Sequence, residues 1–262
     1  MESNVITIRG LKKSFGRGNQ TNEVLKGIDL DIPKGQIIGY IGPNGAGKST
    51  TVKILCGIIK EYEGEIEVLG KCLTNESDAI KARIGYVPEN GAMYDVLTPR
   101  EYLKLIGALY GIEEQQLNTR IQHLVSFFEM TTHADQRMDT FSKGMRQKIL
   151  IVAGLLNNPD ILFLDEPLSG LDANAVIMVK EMLTRLAAQG KTIFYCSHLM
   201  DVVEKISDRI ILINDGQVIT DGTFAELKTE KADTLERLFA DLTGGSKESV
   251  NTEALLDAFN QN

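Results

Sequence analysis

A chain of 262 residues, 43% hydrophobic and 24% charged, has enough apolar mass for one large domain or a domain with a subdomain. A net charge of −8 argues against non-specific nucleic-acid binding as its main task, yet leaves room for a local basic site that takes an anion. Cys56, Cys72 and Cys196 form no paired framework and no CxxC, which suits a reducing cytosol. The longest apolar run, Ile149–Leu156, is far short of the roughly 20 residues of a spanning helix. The start, Met-Glu-Ser-Asn, lacks the basic and apolar regions of a signal peptide. Any work at a membrane therefore calls for another subunit to do the crossing.

Taken in order, apolar strand-like runs alternate with amphipathic helical stretches, the pattern of an α/β domain. Val5–Arg9 and Leu25–Ile32 read as early strands. Gly35–Ile41 is β-rich and runs into a glycine-rich turn, and Lys48–Ile59 reads as a helix. From about 90 to 158 the pattern turns helical, as an insert in the α/β body. Thr98-Pro99-Arg100-Glu101 is a capping box with proline at the first helical position. That helix should run to Tyr110 and stop at Gly111. Glu114–Phe128 and Lys143–Leu156 fit two more. Ile161–Leu164, Thr192–Cys196 and Arg209–Ile213 suit buried parallel strands. Between the first two, Asp172 can cap a long helix with Val176, Val179, Met182, Leu183 and Leu186 on one face and Gly190 at its end. No internal repeat is visible. After about Thr223 come two short helical patterns separated at Gly244-Gly245-Ser246, the last over Thr252–Asn260.

Two stretches carry phosphate chemistry. Gly42-Pro43-Asn44-Gly45-Ala46-Gly47-Lys48-Ser49 is a full P-loop pattern, followed by Thr50. Glycines let backbone N–H groups curl round phosphate oxygens, and the helix that starts there aims its positive end at the anion. Lys48 puts a compact charge on the β- and γ-phosphates, and the Ser49 hydroxyl is a magnesium ligand. Ile161-Leu162-Phe163-Leu164-Asp165-Glu166 is a buried strand that ends in two acids. Asp165 can hold the magnesium ion through water. Glu166 is placed to orient or deprotonate a water in line with the γ-phosphate.

A third stretch, Phe141-Ser142-Lys143-Gly144-Met145-Arg146-Gln147-Lys148, opens a helix. With Ser142 as cap, the N–H groups of Lys143 and Gly144 stay free at a positive helix end, a second anion site. Together with Leu164-Asp165-Glu166-Pro167, Ser169-Gly170-Leu171-Asp172 and Ser197-His198, this stretch resembles the nucleotide-binding subunits of ATP-binding cassette transporters over about residues 5–222. That family's signature reads close to LSGGQ. Lys143 and Met145 depart from it in the manner of the drug, antibiotic and ion exporter branch.

The resemblance implies a P-loop NTPase core with a parallel sheet, an N-terminal antiparallel β part and an inserted helical subdomain, over residues 1–222, then a helical extension over 223–262. It implies ATP and magnesium as cofactors. Phe15 looks like the aromatic that stacks on adenine. Glu89 stands where the family usually has Gln, within reach of magnesium or the attacking water. His198 resembles the switch histidine, and Asp172 the acid that joins two subunits. His123 and His133 match nothing and read as surface residues. Two copies would pack head to tail, with Ser142 and Gly144 of one closing on ATP held by the other, beneath an integral membrane permease on the inner face of the membrane. A soluble cassette ATPase of translation or DNA repair, and a small-molecule kinase, are the competing readings.

Overall fold

The computed structural model describes residues 4–16, 21–229 and 232–244. The helix expected over Thr252–Asn260 lies outside the described residues.

Period-two alternation builds the first sheet. β1 (Asn4–Phe15) and β2 (Asn22–Pro33) bury Ile6, Ile8, Leu11, Leu25, Ile28 and Ile32 on one face. They pair antiparallel, from Asn4 opposite Pro33 to Phe15 opposite Asn22. β3 (Ile37–Ile41) is buried at all five residues, as a central parallel strand must be. It starts later than expected, because Gly35 turns the chain at φ 78°. The glycine-rich loop follows, then α1 (Lys48–Leu55).

The helix predicted to reach Ile59 ends at Leu55. Gly57 takes φ 64°, and the amides of Ile58 and Ile59 both donate back to the Lys53 carbonyl. That closes the last turn and sends the chain off towards β4 (Glu63–Val68), β5 (Lys71–Cys72), α2 (Ser77–Lys81) and β6 (Ile84–Val87). None of these was singled out from sequence. β4 reads as alternating acids, and β6 is only four residues long.

Residues 88–98 carry no helix, and the first helix of the insert starts at the Thr98 cap, as expected. The helices begin with α3 (Pro99–Leu109), where Thr98 Oγ1 accepts from the Glu101 amide and the Glu101 carboxylate accepts from the Thr98 amide. α4 (Glu114–Phe127) and α5 (Lys143–Leu155) follow. Then come β7 (Ile161–Asp165), α6 (Ala173–Ala188), β8 (Thr192–Cys196), α7 (Met200–Ile206), β9 (Arg209–Asn214), β10 (Gln217–Gly222), α8 (Phe224–Leu227) and α9 (Leu235–Thr243), which closes on Gly244 at φ 81°.

Among the described residues one sheet runs β2-β1-β4-β5 and the other β10-β9-β3-β8-β7-β6. In the second sheet all neighbours are parallel except β10 on β9. Alternate residues of the central strands face different cores. Ile38, Tyr40, Ile161 and Phe163 pack with the first sheet and α1, whereas Ile37, Ile41, Leu162 and Leu164 pack with α3–α7. The loops after β3, β7 and β8 therefore leave neighbouring parallel strands at their C-terminal ends. That is where an open α/β sheet takes its ligands.

Candidate nucleotide site

Backbone geometry makes the loop after β3. Gly45 and Gly47 hold φ 83° and 107°, a region that favours glycine. A side chain at Gly42 would meet the Ile213 carbonyl at 2.2 Å, and one at Gly47 would meet Leu25 Cδ2 at 2.4 Å. The Ala46 amide donates to the Pro43 carbonyl at 3.2 Å, while Asn44 and Gly45 stand exposed at the tip. The Lys48 ammonium donates to the Gly42 carbonyl at 2.6 Å and to that of Pro43 at 3.1 Å, which holds it over the loop. The amides of Lys48, Ser49 and Thr50 belong to the first helical turn, where no intrahelical acceptor exists. Beneath them Thr51 is buried, donating to the Gly47 carbonyl at 3.0 Å and meeting Tyr40 Oη at 3.2 Å. That buried pair ties α1 to β3 and was not foreseen.

Asp165 ends β7 and is 5% exposed. Burial pushes its pKa up. The Ser49 hydroxyl lowers it, the Glu89 carboxylate raises it, and Lys53 and Lys48 lower it. Four sequence-predicted groups, Lys48, Ser49, Glu89 and Asp165, thus share one electrostatic neighbourhood. A hydroxyl and two carboxylates fit a magnesium ion, which takes few protein oxygens and fills its shell with phosphate and water. Glu89 itself is exposed, in the turn after β6.

Glu166 takes φ 49°, uncommon for a residue with a side chain. Its amide donates to the Cys196 carbonyl at 2.9 Å. Its carboxylate accepts from Ser197 Oγ at 3.0 Å and from the His198 amide at 3.0 Å, and His198 Nδ1 lies 2.9 Å from Oε1. Glu166 is mostly enclosed, whereas the His198 ring is exposed. The acid is thus held against β8, with an exposed imidazole beside it. Ser197, 1% exposed, holds Glu166 and also accepts from the Leu199 amide. Sequence reasoning missed its role, although it sits between β8 and His198.

Ser142 caps α5 through the Met145 amide at 3.2 Å. The stretch is joined to the loop before α6. Lys143 Nζ donates to Ser169 Oγ at 2.6 Å, and Gln147 Nε2 to the Pro167 carbonyl at 3.1 Å. A Cβ on Gly144 would lie 2.5 Å from the Gly170 carbonyl oxygen. Among the described residues, no hydrogen bond joins residues 142–145 to residues 42–50. Asp172 caps α6 by accepting from the Ala175 amide at 2.9 Å, a bond that lowers its pKa.

Phe15 lies at the end of β1, 44% exposed, with the Lys13 ammonium 4.9 Å from its ring centroid. His123 is exposed, as expected. His133 is half-buried instead, its Nδ1 3.0 Å from Gln136 Oε1 and its ring edge-on to Phe141.

A model of the family described as ABC transporter matches residues 25–169, more than half of the chain. An uncharacterized ABC transporter ATP-binding protein of Synechocystis sp. is 38% identical over 232 residues, which cover 87% of this chain. The chain spans 65% of that relative's own length. The linearmycin resistance ATP-binding protein LnrL of Bacillus subtilis is 34% identical, with 85% of this chain and 70% of that one covered. The solved structure of an ATP binding subunit of an ABC transporter superposes with TM-score 0.82 at 29% identity, covering 91% of this chain and 99% of that one. An ATP-binding cassette solved as a dimer in a post-hydrolysis state, bound to ADP and Pi, gives TM-score 0.78 at 25% identity, with 83% and 98% covered. A phosphate loop, two acids at the end of another parallel strand of the same sheet and a capped signature helix are the parts such a cassette needs to bind and hydrolyse ATP. This chain belongs to the ABC transporter family, with the fold of its ATP-binding cassettes.

Proposed function

We propose that this cassette works as one of two identical copies beneath a separate integral membrane permease, on the inner face of the cell membrane, and drives export. The observation that carries the reading is the division of the anion-binding parts. Lys48, Ser49, Asp165 and Glu89 gather at one place, while the open N-terminus of α5 is bonded to the 167–172 loop instead. That leaves Ser142 and Gly144 to meet phosphate held by the partner copy. Asp172, between the two, would face the interface. We read residues 1–222 as the cassette, with about 90–158 as its helical insert, and 223–262 as an extension.

The chain's own groups divide the work. Amides of the 42–50 loop and the Lys48 ammonium cradle the β- and γ-phosphates, and Phe15 stacks on the base. Ser49, Asp165 and Glu89 would hold magnesium, which supplies neutralisation of the charge on the transferring phosphoryl group. Glu166 takes the proton of an in-line water, and His198, bonded to the same carboxylate, orients it towards the γ-phosphate. Because ATP bridges both copies, binding favours the closed pair and hydrolysis releases it.

A cavity of about 430 Å³ supports a permease partner. Tyr86, Tyr102, Ile106, Leu109, Tyr110 and Leu150 line it, beside the turn that carries Glu89. Leu109 and Tyr94 nearby are 77% and 62% exposed. Such apolar exposure next to a catalytic turn suits a protein partner whose movement follows the nucleotide. The relative named for linearmycin resistance supports the outward direction.

Glu166→Gln tests the cycle. With magnesium and ATP it is expected to run as a nucleotide-loaded dimer in gel filtration and to release phosphate at a rate lower by about 10²–10⁴. A Glu166→Gln chain that stays monomeric with ATP bound would count against it. Affinity capture of the tagged chain from detergent-solubilised membranes should bring a polytopic membrane protein with it. Capture of ribosomes instead would restore the soluble reading.

A further inference from the structure

A second cavity, of about 590 Å³, opens between the later turns of α4, the end of α5 and the later turns of α6. That size is in the range of sites for small organic ligands, about 300–1,000 Å³. Asn158 and Pro159 precede β7 and Lys191 precedes β8, so the bowl lies at the N-terminal ends of these strands. Asp165-Glu166 and Ser197-His198 leave from the opposite ends. Five residues of strand, at about 3.3 Å each, put the bowl roughly 15 Å away from the nucleotide site.

The lining is sorted by chemistry. Leu124, Leu155, Leu162, Met182 and Leu186 make an apolar floor. Arg120, Arg185, Lys191 and His123 stand at the rim; Arg185 is paired with Glu181 at 2.5 Å, and no carboxylate is itself among the lining residues described. In a chain with 36 acids against 28 lysines and arginines, a rim drawn at random would favour acids. Two of the cations are anchored. The Arg120 guanidinium donates to the Leu156 carbonyl, and the Lys191 ammonium donates to that of Asn158 at 3.2 Å. Each keeps further N–H donors for another acceptor.

We propose that this bowl binds an amphipathic organic anion: an acyl or aromatic body on the floor, with one carboxylate or sulfonate head between Arg120 and Lys191. The floor contributes by apolar burial. The head selects by charge-assisted hydrogen bonds, which favour an oxyanion over a neutral or cationic group.

The test is calorimetric titration of the full chain with decanoate below its micellar range, against decyltrimethylammonium and decanol. The expected result is saturable one-to-one binding of decanoate, no binding of the cation, and decanol weaker by about tenfold. The double variant R185E/K191E should weaken decanoate by at least about tenfold and leave ATP hydrolysis unchanged, since neither residue is in the nucleotide site. Leu124→Trp, which fills the floor, should abolish binding. If that variant fails to fold, the charge variant decides alone. Equal binding of decanoate and the cation, or binding indifferent to R185E/K191E, overturns the proposal. So does a full chain that shows no saturation. In that last case, cross-links from Lys191 to an acidic peptide would assign the bowl to a polypeptide.

Discussion

Gly144→Ala tests whether the signature helix serves the phosphate loop of its own chain or that of a partner. A Cβ there would lie 2.5 Å from the Gly170 carbonyl oxygen, both partners being backbone. Relief to ordinary contact needs a shift of roughly 0.8 Å, and such overpacking costs about 1–3 kcal/mol. Alanine in place of glycine in a helix returns up to about 1 kcal/mol. The net loss of about 0–3 kcal/mol lowers Tm by at most about 12 °C, so the chain still folds. The shift falls on the loop that Lys143 holds through Ser169 and Gln147 holds through Pro167, next to Glu166. Phosphate release should fall at least about tenfold, because one displaced anion-binding amide costs that much in a preorganised site. The decisive assay mixes this variant with Lys48→Ala, each impaired at least about tenfold alone. If the site is shared between copies, a mixed dimer joins the intact loop of one chain to the intact signature of the other. Random pairing then restores about a quarter of the wild-type sites. Activity and ATP retained after rapid desalting should both show the recovery. No recovery on either readout, with mixed dimers verified by two tags, refutes the shared site.

Other outcomes follow from the same geometry. Burial raises the pKa of Asp165, so as pH rises through that value its charged form weighs against the folded state. Asp165→Asn should therefore raise Tm at neutral pH without nucleotide and abolish the added stabilisation that magnesium brings to ATP, both read by thermal melts. A D165N chain that melts lower without ligand would contradict this sign. Phe15→Ala should raise the KM for ATP by about tenfold with kcat little changed, as base stacking is worth about 1–3 kcal/mol. An equal KM would remove Phe15 from the base site. Leu109→Glu should leave ATP hydrolysis by the free cassette unchanged and abolish co-purification of the permease, because the side chain is 77% exposed on the proposed docking cavity.

The contiguous motifs were legible in the amino-acid order itself. A loop of glycines before Lys48, a four-residue apolar strand before Asp165, and the caps Thr98, Ser142 and Asp172 each rest on neighbours within a few positions, where local sterics and hydrogen bonding decide the conformation. Local signals also placed Thr192–Cys196 and, within a residue or two, α3, α4, α5 and α6. They failed where period and propensity were weak: at β4, whose acids alternate, at the short β6, and past Leu55, where glycine ended the helix.

What only the tertiary structure decided are the meetings between distant segments. Sequence could list Glu166 and His198. It could not say that Ser197 would hold the acid at a positive φ, because that follows from β7 and β8 lying side by side in register, Asp165 opposite Cys196. Sequence could suggest that Glu89 reaches the metal, while its closeness to Asp165 depends on β6 pairing with β7. The bond between Lys143 and Ser169, and the basic bowl at the far end of the same strands, likewise join residues that no short-range pattern links. Local chemistry determines which groups a cassette has, and strand order and packing determine which of them touch.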